Sequence, residues 1–175
     1  MILTNAPALG SDNLILRGPQ TRDIEPVITF FQDKTCADGF GHIPQQGDAW
    51  RCFAAMVGDC HIHGYSYFTI EPKSDEIASI NGIWCPETWP EPEVGQVVFN
   101  GFEGQSIACK AASRARQWAY EDLGLATLTC NIAPDNTRSK RLAERMGAIY
   151  EKTYKNTYEN KNIMLYRHPG PKAVL

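Results

Sequence analysis

The passage from residue 93 to residue 124, EVGQVVFNGFEGQSIACKAASRARQWAYEDLG, constrains this chain most. A run of β-formers ends at Phe99, small residues follow, and an amphipathic stretch runs on to Gly124. Apolar spacing reads the first part as a strand and the last as a long helix closed by its glycine. A helix N-terminus leaves several backbone N–H groups without partners and carries partial positive charge. Where the loop before it is thin, an anionic group comes within hydrogen-bond distance of those amides. Gly104 and Ser106 limit side-chain bulk around Gln105, and Ala108 keeps the turn after Ile107 thin, so GQSIA is a candidate phosphate or pyrophosphate cradle. The competing reading is a turn glycine and a serine that caps a core helix. No Gly-Lys-Ser/Thr follows, which excludes a Walker loop.

The remaining chain supplies the sheet this helix needs. NLILRGP (13–19), YSYFTIEP, EIASINGIW, TLTCNIAP, AIYEKTYKNTY and NIMLYRH read as further strands, with KSD as a polar turn. TRDIEPVITFFQD reads as a helix capped by Thr21 or Asp23, with Pro26 in or near its first turn. DAWRCFAAMVGDCHIHG reads as another, capped by Asp48, with Trp50, Phe53, Ala54 and Val57 on one face and Gly64 at its end. NTRSKRLAERMG reads as a short one opening at Asn136 and closing at Gly147. The expectation is one α/β (α+β) domain over 1–175, with a mixed sheet of about seven strands and about four helices on its faces.

Charge and cysteine usage bound the partners. With 17 basic and 20 acidic residues interspersed, the chain shows no basic stripe, which argues against nucleic acid. No apolar run approaches ~20 residues and no signal peptide is read at the N-terminus, so the expectation is a cytoplasmic protein without membrane contact, as a monomer or homodimer. The six cysteines form no CxxC pair. CHIH (60–63) is half of a possible zinc site, but no second Cys/His pair stands at ligand spacing, so no metal is expected.

Residues 93–125 and IAPDNTRSKRLAERMGA, with the strands before them, resemble the GNAT N-acetyltransferases over Asn13 to Tyr166. The branch they resemble is that of the RimJ/RimL ribosomal-protein N-terminal acetyltransferases. The resemblance implies a mostly antiparallel sheet and acetyl-CoA as acyl donor. In that family a Q/R-x-x-G-x-G/A loop holds the coenzyme pyrophosphate; here Gly101 stands where Gln or Arg is common, Gly104 at the first glycine and Ser106 at the second. Ser106 adds a side chain and Glu103 a negative charge beside the cradle. The preceding strand splays from its neighbour in the family, and Val97 and Val98 match the positions whose backbone pairs with the pantetheine arm. An amide there also donates to the thioester carbonyl as it gains charge.

An amine nucleophile is mostly protonated at neutral pH, so acetyl transfer needs a proton acceptor. Glu93 stands where the family often carries its glutamate, and alternation puts Glu93, Gly95, Val97 and Phe99 on one face. The alternative is a solvated Glu93 in the polar PEPE loop, with ordered water, Glu87 or Glu91 taking the proton. The tyrosine found in many members seven residues after the motif asparagine is Ala143 here. The resemblance instead implies that Asn136 binds pantetheine and Ser139 hydrogen-bonds the sulfur; the alternative is that both cap the helix. Trp84, Trp89 and Tyr154 are candidate acceptor-site residues, with Tyr150 and Tyr158 on the face of Tyr154. Asn162 stands where the family often has aspartate, leaving the groove less acidic.

The expected activity is acetyl transfer from acetyl-CoA to a primary amine, on a protein N-terminus or a small molecule, by direct attack in a ternary complex. The rival from another class is a catalytically silent acyl-CoA-binding sensor or scaffold. A further rival, acetylation of aminoacylated RNA, conflicts with the acidic balance.

Overall fold

The computed structural model describes residues 1–37, 41–72, 76–87, 89–156 and 160–174. The KSD turn, Thr88 and Tyr158 lie outside the described residues. In chain order the elements are β1 (Leu9–Ser11), β2 (Leu14–Arg17), a 3-10 turn (Thr21–Asp23), α1 (Ile24–Gln32), α2 (Lys34–Ala37) and α3 (Gln46–His63). There follow β3 (Tyr67–Pro72), β4 (Ser79–Trp84), β5 (Glu93–Val98), α4 (Ile107–Glu121), β6 (Thr129–Ile132), α5 (Thr137–Arg145), β7 (Ile149–Asn156), β8 (Lys161–Arg167) and α6 (Pro171–Val174).

Among the described residues eight strands form one sheet in the order β1-β2-β3-β4-β5-β6-β8-β7. Every neighbouring pair is antiparallel except β5 and β6. The one parallel pair follows from connectivity: α4 carries the chain back across the sheet before β6, so β6 runs the same way as β5. The expected seven strands are all present, and β1 adds an eighth. It is a three-residue edge strand, too short to show a period of two.

Two apolar layers sandwich the sheet. On one face Ala111, Ala112, Ala115 and Ala119 of α4 are fully buried against a layer containing Phe68, Ile83 and Val94. Alanines at helical spacing let the α4 backbone lie close to the sheet. Trp118 then meets Phe68 edge-on, with ring centroids 5.2 Å apart. On the other face α1 and α3 bring Val27, Phe31, Phe53 and Met56 onto Tyr67, Ile80, Val97 and Phe99. Strand β5 therefore sends Val94 to the α4 layer and Val97, with Phe99 just past its end, to the opposite one.

Two cap assignments differ from expectation. α3 begins at Gln46, ahead of Asp48, and Asp48 pairs with Arg51 within the first turn. Its buried face is Ala49, Phe53, Met56 and Cys60, so Trp50 lies outside it, 52% exposed. Gly64 does close the helix, in the left-handed conformation at φ 79°. Neither Thr21 nor Asp23 caps α1 by a side-chain bond. The Asp23 carboxylate instead receives two bonds from Arg17, at 2.7 and 2.8 Å, one from Thr69 at 2.7 Å and one from the Gln20 N–H. Burial alone would raise the Asp23 carboxyl, but these donors outweigh it and hold it below the usual carboxylate range.

Candidate active site

The site begins where β5 and β6 part. They share a single register pair, Glu93 with Thr129, and the Thr129 N–H reaches the Pro92 carbonyl at 3.0 Å. A continuing parallel ladder would give the Asn131 N–H to Val94. It goes instead to Glu93 Oε2 at 2.9 Å, and the strands diverge.

Hydrogen-bond parity shows which backbone groups face the gap. The Phe99 N–H donates to Ala78 on the β4 side, and the Ser79 hydroxyl reaches the Val97 carbonyl at 2.5 Å from the same side. Residues 95, 97 and 99 thus turn their main chain toward β4, and Gln96 and Val98 turn theirs into the split. Of the expected pair only Val98 presents its backbone there. Val97 lines a cavity but turns its main chain toward β4, and Gln96 is the residue whose main chain faces the split beside Val98.

At the wide end of the split the chain makes the loop into α4. Gly101, Gly104 and Ser106 have φ of 87°, 75° and 62°, all left-handed. Gly104 is needed for this conformation rather than for its small bulk, since a Cβ added there meets nothing within 4 Å. Ser106 occupies the N-cap of α4 but makes no side-chain cap bond, so the capping alternative does not hold for it. Glu103 Oε2 accepts from the Gly101 N–H at 2.8 Å, and the Gln105 amide donates to the Gly101 carbonyl at 3.1 Å. Both side chains brace the loop. The Ile107 side chain is buried in the core, and Ala108 is half-buried beside the loop.

A cavity of about 890 Å³ connects these parts. Gln96, Val97 and Val98 form its floor, with Gly104 and Ala108 at one end. Asn136, the N-cap of α5, also lines it, with Arg138 and Ser139 of α5 and with Thr35, Cys36 and Asn100. A second cavity of about 350 Å³ shares Val98, Gly104 and Ala108 and is bounded by Ser106, Arg138, Arg141 and Arg145. Spacing of three and four residues puts those arginines on one face of α5. Asn136 Oδ1 accepts from the Ser139 N–H at 3.0 Å, so Asn136 caps α5. Ser139 gives its backbone N–H to that cap and is one of the residues lining the cavity.

Glu93 is not among the residues lining this cavity. It is 7% exposed, and its Oε2 accepts from both the N–H and the Nδ2 of Asn131, at 2.9 and 3.0 Å. Tyr154 donates to the Asn131 Oδ1 at 3.0 Å, so strand β7 supports the group that holds Glu93. Burial, with the Glu93 charge as the next cause, pushes the Tyr67 phenol well above its ordinary value. Trp84 packs on Tyr67 with ring centroids 5.3 Å apart. Glu91 is committed to Arg167, which donates to both of its oxygens at 2.8 Å and lowers its pKa. Glu87 is exposed.

The structure thus gathers Val97, Val98, Gly104, Ala108, Asn136 and Ser139 at one cavity. Glu93, Trp84 and Tyr154 lie outside its lining residues, as does Trp89, whose indole Nε1 is buried. Further contributors lie outside the candidates named from the sequence. Asn100 stands in the loop directly after β5, whereas Thr35, Asn131 and the α5 arginines come from distant segments, and the Gln96 backbone faces the gap only because of which strands flank β5. In CHIH, Cys60 is buried, His61 bonds the Leu3 carbonyl at 3.0 Å and His63 pairs with Asp59 at 3.1 Å. Among the described residues no cluster is placed to hold a metal, and no helix is long and apolar enough to cross a membrane.

Comparison with known proteins meets this geometry. The model of a family described as an acetyltransferase (GNAT) domain matches residues 13–149. An acetyltransferase from Agrobacterium tumefaciens str. C58 superposes with a TM-score of 0.83 at 27% identity, over 94% of this chain and 95% of that one. RimL, a ribosomal L7/L12 α-N-protein acetyltransferase in complex with coenzyme A, gives 0.76 at 14% identity, over 94% and 99%. The ribosomal-protein-S5-alanine acetyltransferase of Vibrio fischeri gives 0.70 at 15%, over 93% and 96%, and at such identities the likeness is one of fold. The chain belongs to the GNAT acetyltransferases, enzymes that take their acetyl group from acetyl-CoA.

Proposed function

We propose that this protein transfers the acetyl group of acetyl-CoA to a primary amine, either a protein N-terminal α-amino group or a small-molecule amine, in a ternary complex. One observation carries the reading: a split between parallel strands opens into the same cavity as a left-handed loop at a helix N-terminus. The residues present fit the coenzyme. The free amides of the first turn of α4 and the loop before it suit a pyrophosphate, with Arg138, Arg141 and Arg145 adding positive charge. Gln96 and Val98 offer backbone partners to an extended arm. RimL and the Vibrio fischeri protein, named for acetylating ribosomal proteins, favour the N-terminal α-amine among the acceptors.

Acetyl-CoA supplies, when bound, a thioester whose carbonyl an uncharged amine can attack. The Val98 N–H is placed to stabilise negative charge gathering on the carbonyl oxygen. Ser139 presents a hydroxyl from α5 to donate toward the departing sulfur. Glu93 takes the acceptor's proton through intervening water, because it is not among the residues that line the cavity. Asn131 fixes that carboxylate by two hydrogen bonds.

Thiol release from acetyl-CoA, measured across peptides with free N-termini and a set of small amines, tests the proposal. Release with at least one acceptor is expected. Tight acetyl-CoA binding with no release on any amine would instead identify a silent acyl-CoA-binding module.

A further inference from the structure

We infer that Cys130 and His168 are positioning residues that hold β5 and β6 apart at the narrow end of the split. The proposal rests on the reading of that split as the channel of the coenzyme arm. Breaking a parallel ladder strands two backbone groups, here the Asn131 N–H and the Val94 carbonyl, and buried groups of this kind require partners. Glu93 takes the first at 2.9 Å. The Cys130 thiol takes the second, with Sγ 3.3 Å from the Val94 oxygen. One side chain from each strand thus occupies the place of the missing rung.

The thiol is oriented by a buried line of hydrogen bonds. Arg116, on α4, donates through Nη1 to the Met146 carbonyl at 2.7 Å and lies 3.1 Å from His168 Nδ1. A guanidinium only donates, so Nδ1 accepts and the ring proton sits on Nε2. His168 Nε2 is 3.1 Å from Cys130 Sγ and therefore donates to it. That leaves the S–H to point at Val94. The direction of the whole line is fixed, Arg116 to His168 to Cys130 to Val94. Burial, and then the Arg116 charge, lower the His168 pKa to about 3, which keeps the ring in the neutral form this line uses. All three side chains are at least nine-tenths buried, so solvent does not compete for these bonds.

The consequence for binding is selective. Without the thiol the Val94 carbonyl loses its partner and competes with Glu93 for the Asn131 N–H, which draws β6 toward β5 and narrows the split where the acyl end of the arm belongs. The cradle at the other end of β5 does not change. The probes are acetyl-CoA, which needs both ends, and adenosine 3′,5′-bisphosphate, which needs only the cradle and its arginines.

Calorimetric titration of the full chain with both probes tests this. Cys130→Ala should weaken acetyl-CoA by about tenfold, the scale of one net hydrogen bond. Its affinity for the bisphosphate should stay within about twofold of the original. Cys130→Ser, which keeps a donor and an acceptor at the position, should restore acetyl-CoA affinity. If Cys130→Ala does not fold, His168→Leu should show the same selective loss, at about threefold. Equal losses for both probes, or none, would overturn the proposal, since general destabilisation does not distinguish them. Binding of neither probe by the wild-type chain would overturn the coenzyme reading itself and the proposal with it.

Discussion

Ser139 and Ser106 show how far single residues carry the account. Because the α5 cap is the Asn136 side chain on the Ser139 backbone N–H, removing the Ser139 hydroxyl leaves the cap intact. Ser139→Ala should therefore lower kcat while acetyl-CoA affinity and melting temperature stay near wild type. A stability loss of about 1 kcal/mol with unchanged kcat would place the hydroxyl in the cap after all. Ser106 has the opposite character, a side chain held at φ 62° with no cap bond in return. L-residues disfavour this conformation by about 1 kcal/mol or more, a cost that glycine's larger unfolded-state entropy partly offsets. Ser106→Gly should raise stability by some fraction of about 1 kcal/mol and tighten acetyl-CoA binding by preorganising the cradle. Weaker binding in that variant would show that the serine itself contacts the coenzyme.

At the scale of elements, strand and helix placement could be read directly in the sequence, because β5 is a run of β-formers and α4 an amphipathic run closed by Gly124. What could not be read depends on pairing between distant segments. Glu93 was legible as a β5 residue, but its partner Asn131 stands 38 positions on. Alternation says which residues share a face of β5; which backbone edge meets the gap depends on which strand lies on each side. That distinction is why Gln96, not Val97, turns its main chain into the split. Asp23 looked like a cap because its buried partner Arg17 is on another element. The cradle yields a prediction at this scale. Gly104→Val puts a β-branched residue at φ 75°, so acetyl-CoA affinity should fall by about tenfold or more. Unchanged affinity in the folded variant would locate the pyrophosphate elsewhere.

For the whole molecule, ligand and pH act on the same folding equilibrium. Acetyl-CoA binds the folded chain, so at a hundredfold excess over its Kd it should stabilise the protein by about 2.7 kcal/mol. Absence of any thermal shift at millimolar acetyl-CoA would contradict the coenzyme site. The pH response follows from two depressed groups in different windows. His168 stays neutral in the fold down to about pH 3, whereas the unfolded chain takes up that proton near pH 6.5. Its contribution is therefore intact above about pH 6.5 and declines as pH falls toward 3. Asp23 also has a depressed folded pKa, so its contribution is lost only below the ordinary carboxylate range, near pH 4 and under. Melting temperature should thus fall between pH 7 and pH 5, and His168→Gln should flatten that fall. An equal fall in the variant would assign the response to other groups.

That Glu93 drives amine acetylation is tested by intact-mass analysis of an acceptor incubated with acetyl-CoA at pH 7. The wild-type chain should add one acetyl group to the acceptor that supports thiol release. Glu93→Gln should do so about 100-fold more slowly, with the gap closing as pH rises and the amine loses its proton unaided. Acetyl-CoA binding without acetylation of any amine, or Glu93→Gln acting at the wild-type rate at pH 7, would contradict it.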